Sequence, residues 1–181
     1  MKDGIAKMVG DNCELRFVRD LPHPIEKVWS ALTEPARIAD WLAADAHMDL
    51  RVGGRVHMGE HDIESTVTDI DPPKLIQYGW SGPKMNDGGQ VRWELDQVPD
   101  GTHLVLTHVF RVMSDAEVEE FRSRFDRFEL PEGWEPRSST MAGWHTLLER
   151  LGVALDGGKA NTFDMERWQE LNEHYKEVPV R

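Results

Sequence analysis

Cysteine is nearly absent from this chain: Cys13 stands alone, so no internal disulfide can form. Long apolar runs are missing too, and none approaches the ~20 residues that a membrane-spanning helix requires. Met1-Lys2-Asp3-Gly4-Ile5 has none of the apolar stretch that a secretion signal needs. Together these absences predict a cytoplasmic protein without membrane character. Positive charge is also scarce: Lys and Arg number 21 against 33 Asp and Glu, for a net charge of -12. No basic cluster offsets that excess, which opposes binding to nucleic acid or to an anionic membrane surface. The chain also lacks a Gly-x-Ser-x-Gly elbow and a P-loop Gly-Lys-Ser/Thr, so hydrolase and nucleotide-binding functions have no support. Cys13 gives no sign of being a nucleophile.

What is present is periodicity. Residues 1 to 12 show none and predict a frayed end, with a first strand alternating Leu15, Phe17 and Arg19 against Arg16, Val18 and Asp20. Pro22 and Pro24 stop it, and Ile25, Val28, Trp29 and Leu32 share one face of a helix. Thr33 is placed to cap a second short helix, with Pro35 just inside and Ile38, Trp41 and Leu42 pointing inward. A region of period two follows. Met48, Leu50 and Val52 alternate up to a Gly53-Gly54 turn, and Val56 and Met58 continue on a partner strand. Strands are expected at Ile63 to Ile70 and Leu75 to Trp80, around the turn Asp71-Pro72-Pro73. After a long loop over residues 81 to 89, Val91, Trp93 and Leu95 alternate with Arg92, Glu94 and Asp96; Asp100-Gly101 then turns into a last strand, Thr102 to Phe110.

Downstream the period lengthens. Ser114 and Glu117 form a capping box ahead of a stripe of Val118, Phe121, Phe125 and Phe128. That helix either packs on the domain or serves as a lid over a pocket mouth. Pro131 to Pro136 is an irregular connection, Ser138 to Leu155 the longest helix, Gly157-Gly158 its end, and Phe163 to Tyr175 a final amphipathic helix. A strand, two short helices, about six antiparallel strands and a long helix make an α+β architecture with helices on one face of a sheet.

Several residues stand out as candidates for chemistry. On a wheel of about 100° per residue, Met141, Trp144, Leu148, Leu151 and Leu155 share one stripe of the long helix, with His145 inside it and Thr146 and Arg150 opposite. The strands offer Val56, Met58, Ile63, Val67, Val91, Trp93, Leu95, Leu104, Leu106, His108 and Phe110 as their dry face, although Val105 and Val109 alternate as well. These faces make either an ordinary core or the walls of an apolar pocket. For a pocket, the candidate ligand contacts are Trp41, Val56, Met58, Trp80, Trp93, Leu106, His108, Phe110, Met141, Trp144, His145 and Leu148, with the two histidines as polar handles. His57 and His61 lie beside Glu60 and Asp62, but the glycine between them favours a hairpin over a zinc-binding helix. No metal, cofactor or catalytic residue is therefore assigned.

One set of residues carries a family likeness: Val28-Trp29, Thr33, Pro35, Trp41, Val52-Gly53-Gly54, Ile70-Asp71-Pro72-Pro73, Leu75, Trp80, Trp93-Glu94-Leu95, Gly101-Thr102, Leu106-Thr107-His108, Gly143-Trp144 and Leu148. In this order they resemble the SRPBCC, or START-like, superfamily, and within it the branch related to the activator of heat-shock-protein-90 ATPase. The resemblance implies a helix-grip fold over residues 14 to 156, a curved antiparallel sheet around the C-terminal helix with an internal cavity. It leaves residues 1 to 13 as a flexible N-terminus, 113 to 137 as a helical insertion and 157 to 181 as a helical extension. Members of the superfamily bind lipids, sterols, plant hormones and polyketides; some catalyse aromatic cyclisation and some sequester antibiotics. The function it implies is binding of a small hydrophobic or amphipathic molecule, without established catalysis. Two alternatives stay open: a protein-interaction module with a chaperone partner, in keeping with a stress response, and a polyketide-cyclase-type enzyme. Homodimerisation through the final helix or a sheet edge stays open too.

Overall fold

The computed structural model describes residues 2–82, 89–124, 135–160 and 162–181. Eight antiparallel strands form one sheet: β1 (Ile5–Val9), β2 (Asn12–Leu21), β3 (Ala46–Met48), β4 (Arg55–Met58), β5 (Ile63–Asp71), β6 (Leu75–Gly79), β7 (Gln90–Val98) and β8 (Gly101–Arg111). Their spatial order is β1-β2-β8-β7-β6-β5-β4-β3. Helices α1 (Ile25–Thr33) and α2 (Pro35–Ile38) come between β2 and β3; α3 (Asp115–Arg124), α4 (Pro136–Leu155) and α5 (Met165–Glu177) follow β8. This is the helix-grip arrangement, an open curved sheet holding α4.

Period-two burial drives the sheet. Leu104, Leu106, His108 and Phe110 turn inward along β8, and Val91, Trp93 and Leu95 do so along β7. The two strands pair Trp93 with Leu106 and Val91 with His108, so their dry faces coincide. Curvature enters at β5. Its first half pairs with β4 and its second half with β6, and the register shifts between Val67 and Asp69.

Trp144 seats α4 in the concavity. Its indole N–H donates to His108 Nδ1 at 2.8 Å, and its ring meets Trp80 at 4.7 Å and Trp93 at 5.7 Å between centroids. Trp93 Nε1 donates to the Tyr78 hydroxyl at 3.1 Å, and Trp41 Nε1 to the Ala31 carbonyl at 2.9 Å. Trp144, Trp93 and Trp41 thus each satisfy the indole N–H, and hiding ~150–250 Å² of aromatic surface contributes on the order of 4–6 kcal/mol per ring before entropy is subtracted.

The structure corrects several expectations. The frayed N-terminus is instead strand β1, joined to β2 by a two-residue turn, with Gly10 at φ 61° where a left-handed residue is needed. Leu50 and Val52 leave the sheet after Met48. Residues 49–54 fold back on themselves through Gly54 N–H to Arg51 O, and a Cβ on Gly54 would lie 2.0 Å from the Asp49 carbonyl. Thr33 does not cap α2; its hydroxyl donates back to Trp29 O at 2.8 Å, and Glu34 precedes Pro35. Thr146 and Arg150 are buried rather than on a wet face: the Thr146 hydroxyl donates to the Ala142 carbonyl at 2.9 Å, and Arg150 Nε donates to the Ala160 carbonyl in the segment between α4 and α5. The Ser114–Glu117 capping box is present, with Ser114 N–H donating to Glu117 Oε2 at 2.8 Å. Phe125, Phe128, Pro131–Trp134 and the tip of the 81–89 loop lie outside the described residues, as does the Phe121 side chain.

Replacing Trp144 with Phe keeps an aromatic ring but removes the donor facing His108 Nδ1. The expected cost is roughly 1–3 kcal/mol, since a buried acceptor loses its partner. Chemical denaturation of the two proteins measures it, and equal midpoints at equal slopes would contradict this role.

Candidate ligand pocket and buried polar cluster

Of the twelve residues expected to line a ligand site, all are buried, and eleven of them lie away from the pocket described below. Trp41, Trp80, Trp93, His108 and Trp144 are connected by ring contacts of 4.7–6.3 Å between centroids. Val56, Met58, Leu106, Met141 and Leu148 are buried around them. Phe110 is the exception, because it also lines a pocket of about 440 Å³ at one end of the grip. Its ring lies 5.2 Å from that of His108, so Phe110 joins the pocket to the aromatic cluster.

The pocket is assembled from distant parts of the chain. Met8 and Cys13 come from the β1–β2 hairpin, Val112 and Met113 from the segment after β8, Val118 from α3, Pro136 from the start of α4 and Val180 from the C-terminal tail. Asp115, Glu135 and Arg137 add polar groups. Arg137 Nε donates to Glu135 at 2.8 Å, and its Nη1 donates to the carbonyls of Tyr175 and Val178 at 3.1 Å. The guanidinium therefore ties the end of α5 to the start of α4 and fixes the pocket floor. Met8, Val112 and Val180 are exposed, which makes the rim apolar. Cys13 is buried, and burial pushes its thiol above the ordinary value, with the Arg137 charge opposing.

The two candidate histidines occupy different surroundings. His108 belongs to the tryptophan cluster. His145 faces α5 and β2: its Nδ1 lies 2.7 Å from the Tyr175 hydroxyl, and its ring is 6.5 Å from that of Phe17. Tyr175 Oη also accepts the Gly4 N–H at 3.0 Å. Only a backbone without a side chain fits there, since a Cβ on Gly4 would lie 2.4 Å from the Phe17 ring. Desolvation, aided by the nearby Arg19 charge, pulls His145 down to about 4, while Glu149 acts in the opposite direction. Burial likewise raises Tyr175 to about 12.

His57 and His61 are engaged separately. His57 Nδ1 is 2.5 Å from Glu64 Oε1, and His61 Nε2 is 3.1 Å from the Leu42 carbonyl. Among the described residues no group of three or more His, Cys, Asp and Glu side chains is gathered as a metal site. No described helix is long and apolar enough to cross a membrane.

A model of the Activator of Hsp90 ATPase homolog 1-like protein family fits residues 22–156, most of the chain. The chain belongs to this family. Among solved structures it resembles CalU16 from Micromonospora echinospora at 22% identity and TM-score 0.63, over 97% of this chain and 94% of that one. It also resembles EF2215 from Enterococcus faecalis, a conserved protein of unknown function, at 19% identity and TM-score 0.67, over 96% and 88%. DynU16, described as a putative protein in the dynemicin biosynthetic locus, shares 23% identity at TM-score 0.60, over 83% of this chain and 50% of that one. These likenesses establish the fold. Comparison with curated proteins finds no match.

Of the residues that line this pocket, sequence reasoning named only Phe110 as a ligand contact; it missed the others, Met8, Cys13 and Val180 among them. The signal for the hairpin that carries the first two was Gly10-Asp11, a two-residue turn pair.

His145 predicts a pH dependence. Its folded value lies below the ordinary 6.5, so the stability tied to its neutral form is complete above about pH 6.5 and is lost as pH falls towards 4. Arg19, Glu149, Arg167, Asp3 and Tyr175 surround it and set the local field. Between pH 6.5 and 4.5 the wild-type protein should lose roughly 2 kcal/mol more than a His145→Gln variant, at about 1.4 kcal/mol per pH unit at most. Urea unfolding across that range tests it; parallel curves would contradict it.

Proposed function

We propose that this protein binds a small hydrophobic or amphipathic molecule in the pocket at the open end of the grip. The observation that carries this is the pocket itself. About 440 Å³ of space has apolar walls, with Phe110 at its inner end and a few polar groups at its edge. That composition and size suit a compact organic ligand whose apolar body is buried and whose polar end meets Asp115, Glu135 or Arg137. The position also supports it. The walls come from the β1–β2 hairpin, α3, the start of α4 and the C-terminal tail, so binding can draw them together without disturbing the core. A neighbour of the same fold, DynU16, is described as a putative protein in the dynemicin biosynthetic locus, and a binding site for an organic molecule is in keeping with a biosynthetic setting. Phe110 is backed by the aromatic cluster of His108 and Trp144, which holds its ring at the pocket's inner end.

Cys13 reports on occupancy, because it lines the pocket and is the chain's sole cysteine. An uncharged solvatochromic dye such as Nile red should bind saturably, and at saturation it should slow modification of Cys13 by a disulfide reagent severalfold. Val112→Trp, which adds bulk at the exposed rim, should weaken dye binding about tenfold while leaving the fold intact. Dye binding unchanged by Val112→Trp, with thiol modification indifferent to the dye, would overturn the assignment. Native mass spectrometry of the protein as it is purified would then identify any molecule retained from the host.

A further inference from the structure

A second buried polar cluster lies on the same inner face, six positions along β2 from Cys13 and separate from the apolar pocket. Arg19 follows Leu15 and Phe17 in the inward alternation of β2, and it is 7% exposed. A charged side chain in that position calls for a partner, because a buried uncompensated ion is strongly destabilising. Arg19 Nη1 donates to the Val18 carbonyl of its own strand at 2.9 Å. Its Nε and Nη2 are buried and have no hydrogen-bond partner. These two nitrogens form one edge of the guanidinium, the edge that presents parallel N–H bonds to the two oxygens of a carboxylate.

His145 Nε2 is buried and without a hydrogen-bond partner as well. The Tyr175 oxygen already accepts from Gly4 N–H, and its own proton finds its acceptor at His145 Nδ1. Neutral His145 then carries its hydrogen on Nε2, a donor like the two on Arg19. The phenyl ring of Phe17 is a common neighbour of these side chains. The Arg19 guanidinium carbon is 5.7 Å from its centroid, the His145 ring 6.5 Å and the Tyr175 ring 6.3 Å. The nearest acids are committed elsewhere. Glu149 takes both nitrogens of Arg167 at 2.8 and 3.3 Å and stands 3.5 Å from His145 Nε2; Asp3 pairs with His174 at 2.9 Å.

We propose that Arg19 and His145 form a carboxylate-binding site between β2, α4 and α5, with the Nε/Nη2 edge of Arg19 as the bidentate anchor and His145 Nε2–H as a further donor. Such a site balances the buried charge and satisfies three buried donors with one anion. It takes either a small organic acid or the carboxylate end of a longer molecule.

The test is an NMR titration of the full chain at pH 7 with sodium formate, sodium octanoate and, at matched ionic strength, sodium chloride. The probe is the Arg19 Nε–H resonance, identified by its contacts to the Phe17 ring. It should move saturably with formate or octanoate and not with chloride. A tighter response to octanoate marks the end of a longer chain, and a preference for formate marks a small acid. Arg19→Lys keeps the charge but lacks the fork, and affinity should fall at least tenfold. A resonance that does not move, a response that chloride reproduces, or full affinity in Arg19→Lys overturns the proposal. Should that variant fail to fold, the wild-type resonance alone decides. Dye binding in the apolar pocket is measured separately, so failure at one site leaves the other standing.

Discussion

The hydrogen bond from the Trp144 indole to His108 is the contact on which the remaining architecture depends. It links the middle of α4 to the central strand β8 at 2.8 Å, inside a cluster where Trp80 and Trp93 press on the same indole. An unpaired imidazole nitrogen and an unpaired indole would both be costly at this depth. Each satisfies the other, and the helix is thereby fixed in position along the sheet. The pocket at the N-terminal end of α4 and the Arg19–His145 cluster, one residue on from Trp144, both inherit that position.

The second constraint is the covering of α4 on its outer side. Helix α5 and the segment that leads into it cover this side, and Thr146 and Arg150 there are buried at 2% and 8% exposure. Ser139 donates to Asn172 at 3.3 Å, Arg167 grips Glu149, and Arg137 holds the last carbonyls of α5. A polar seam of this kind fixes the placement of α5 more than its depth, because every bond has its own geometry. The same placement brings Tyr175 to His145 and Val180 to the pocket rim.

Much of this was legible in the sequence. Period two along Val91–Trp93–Leu95 and Leu104–Phe110, and the Met141–Trp144–Leu148 stripe, are local patterns, and a local pattern reports burial directly. The same alternation put Arg19 in phase with Leu15 and Phe17, so a charged residue on a dry face was visible before any coordinates. What stayed hidden needed distant segments. Strand β1 is short, and Ile5, Met8 and Val9 are exposed on an edge, so its residues show little periodicity. The pocket draws on Met8, Cys13, Val118, Pro136 and Val180, and no spacing within one segment could have grouped them. His145 was legible as buried, but its partner Tyr175 sits on a helix whose docking only the folded chain defines.

The tail's attachment has a kinetic meaning. Gly4 N–H meets Tyr175 and Asp3 meets His174 across 171 residues, and Ala6 and Met8 exchange backbone bonds with Arg181. Closing so long a loop costs conformational entropy that no nearby contact offsets. Contacts this distant in sequence raise contact order and slow the search for the native state. In the folded protein these contacts strap the two ends of the chain together beside the polar cluster and the pocket rim.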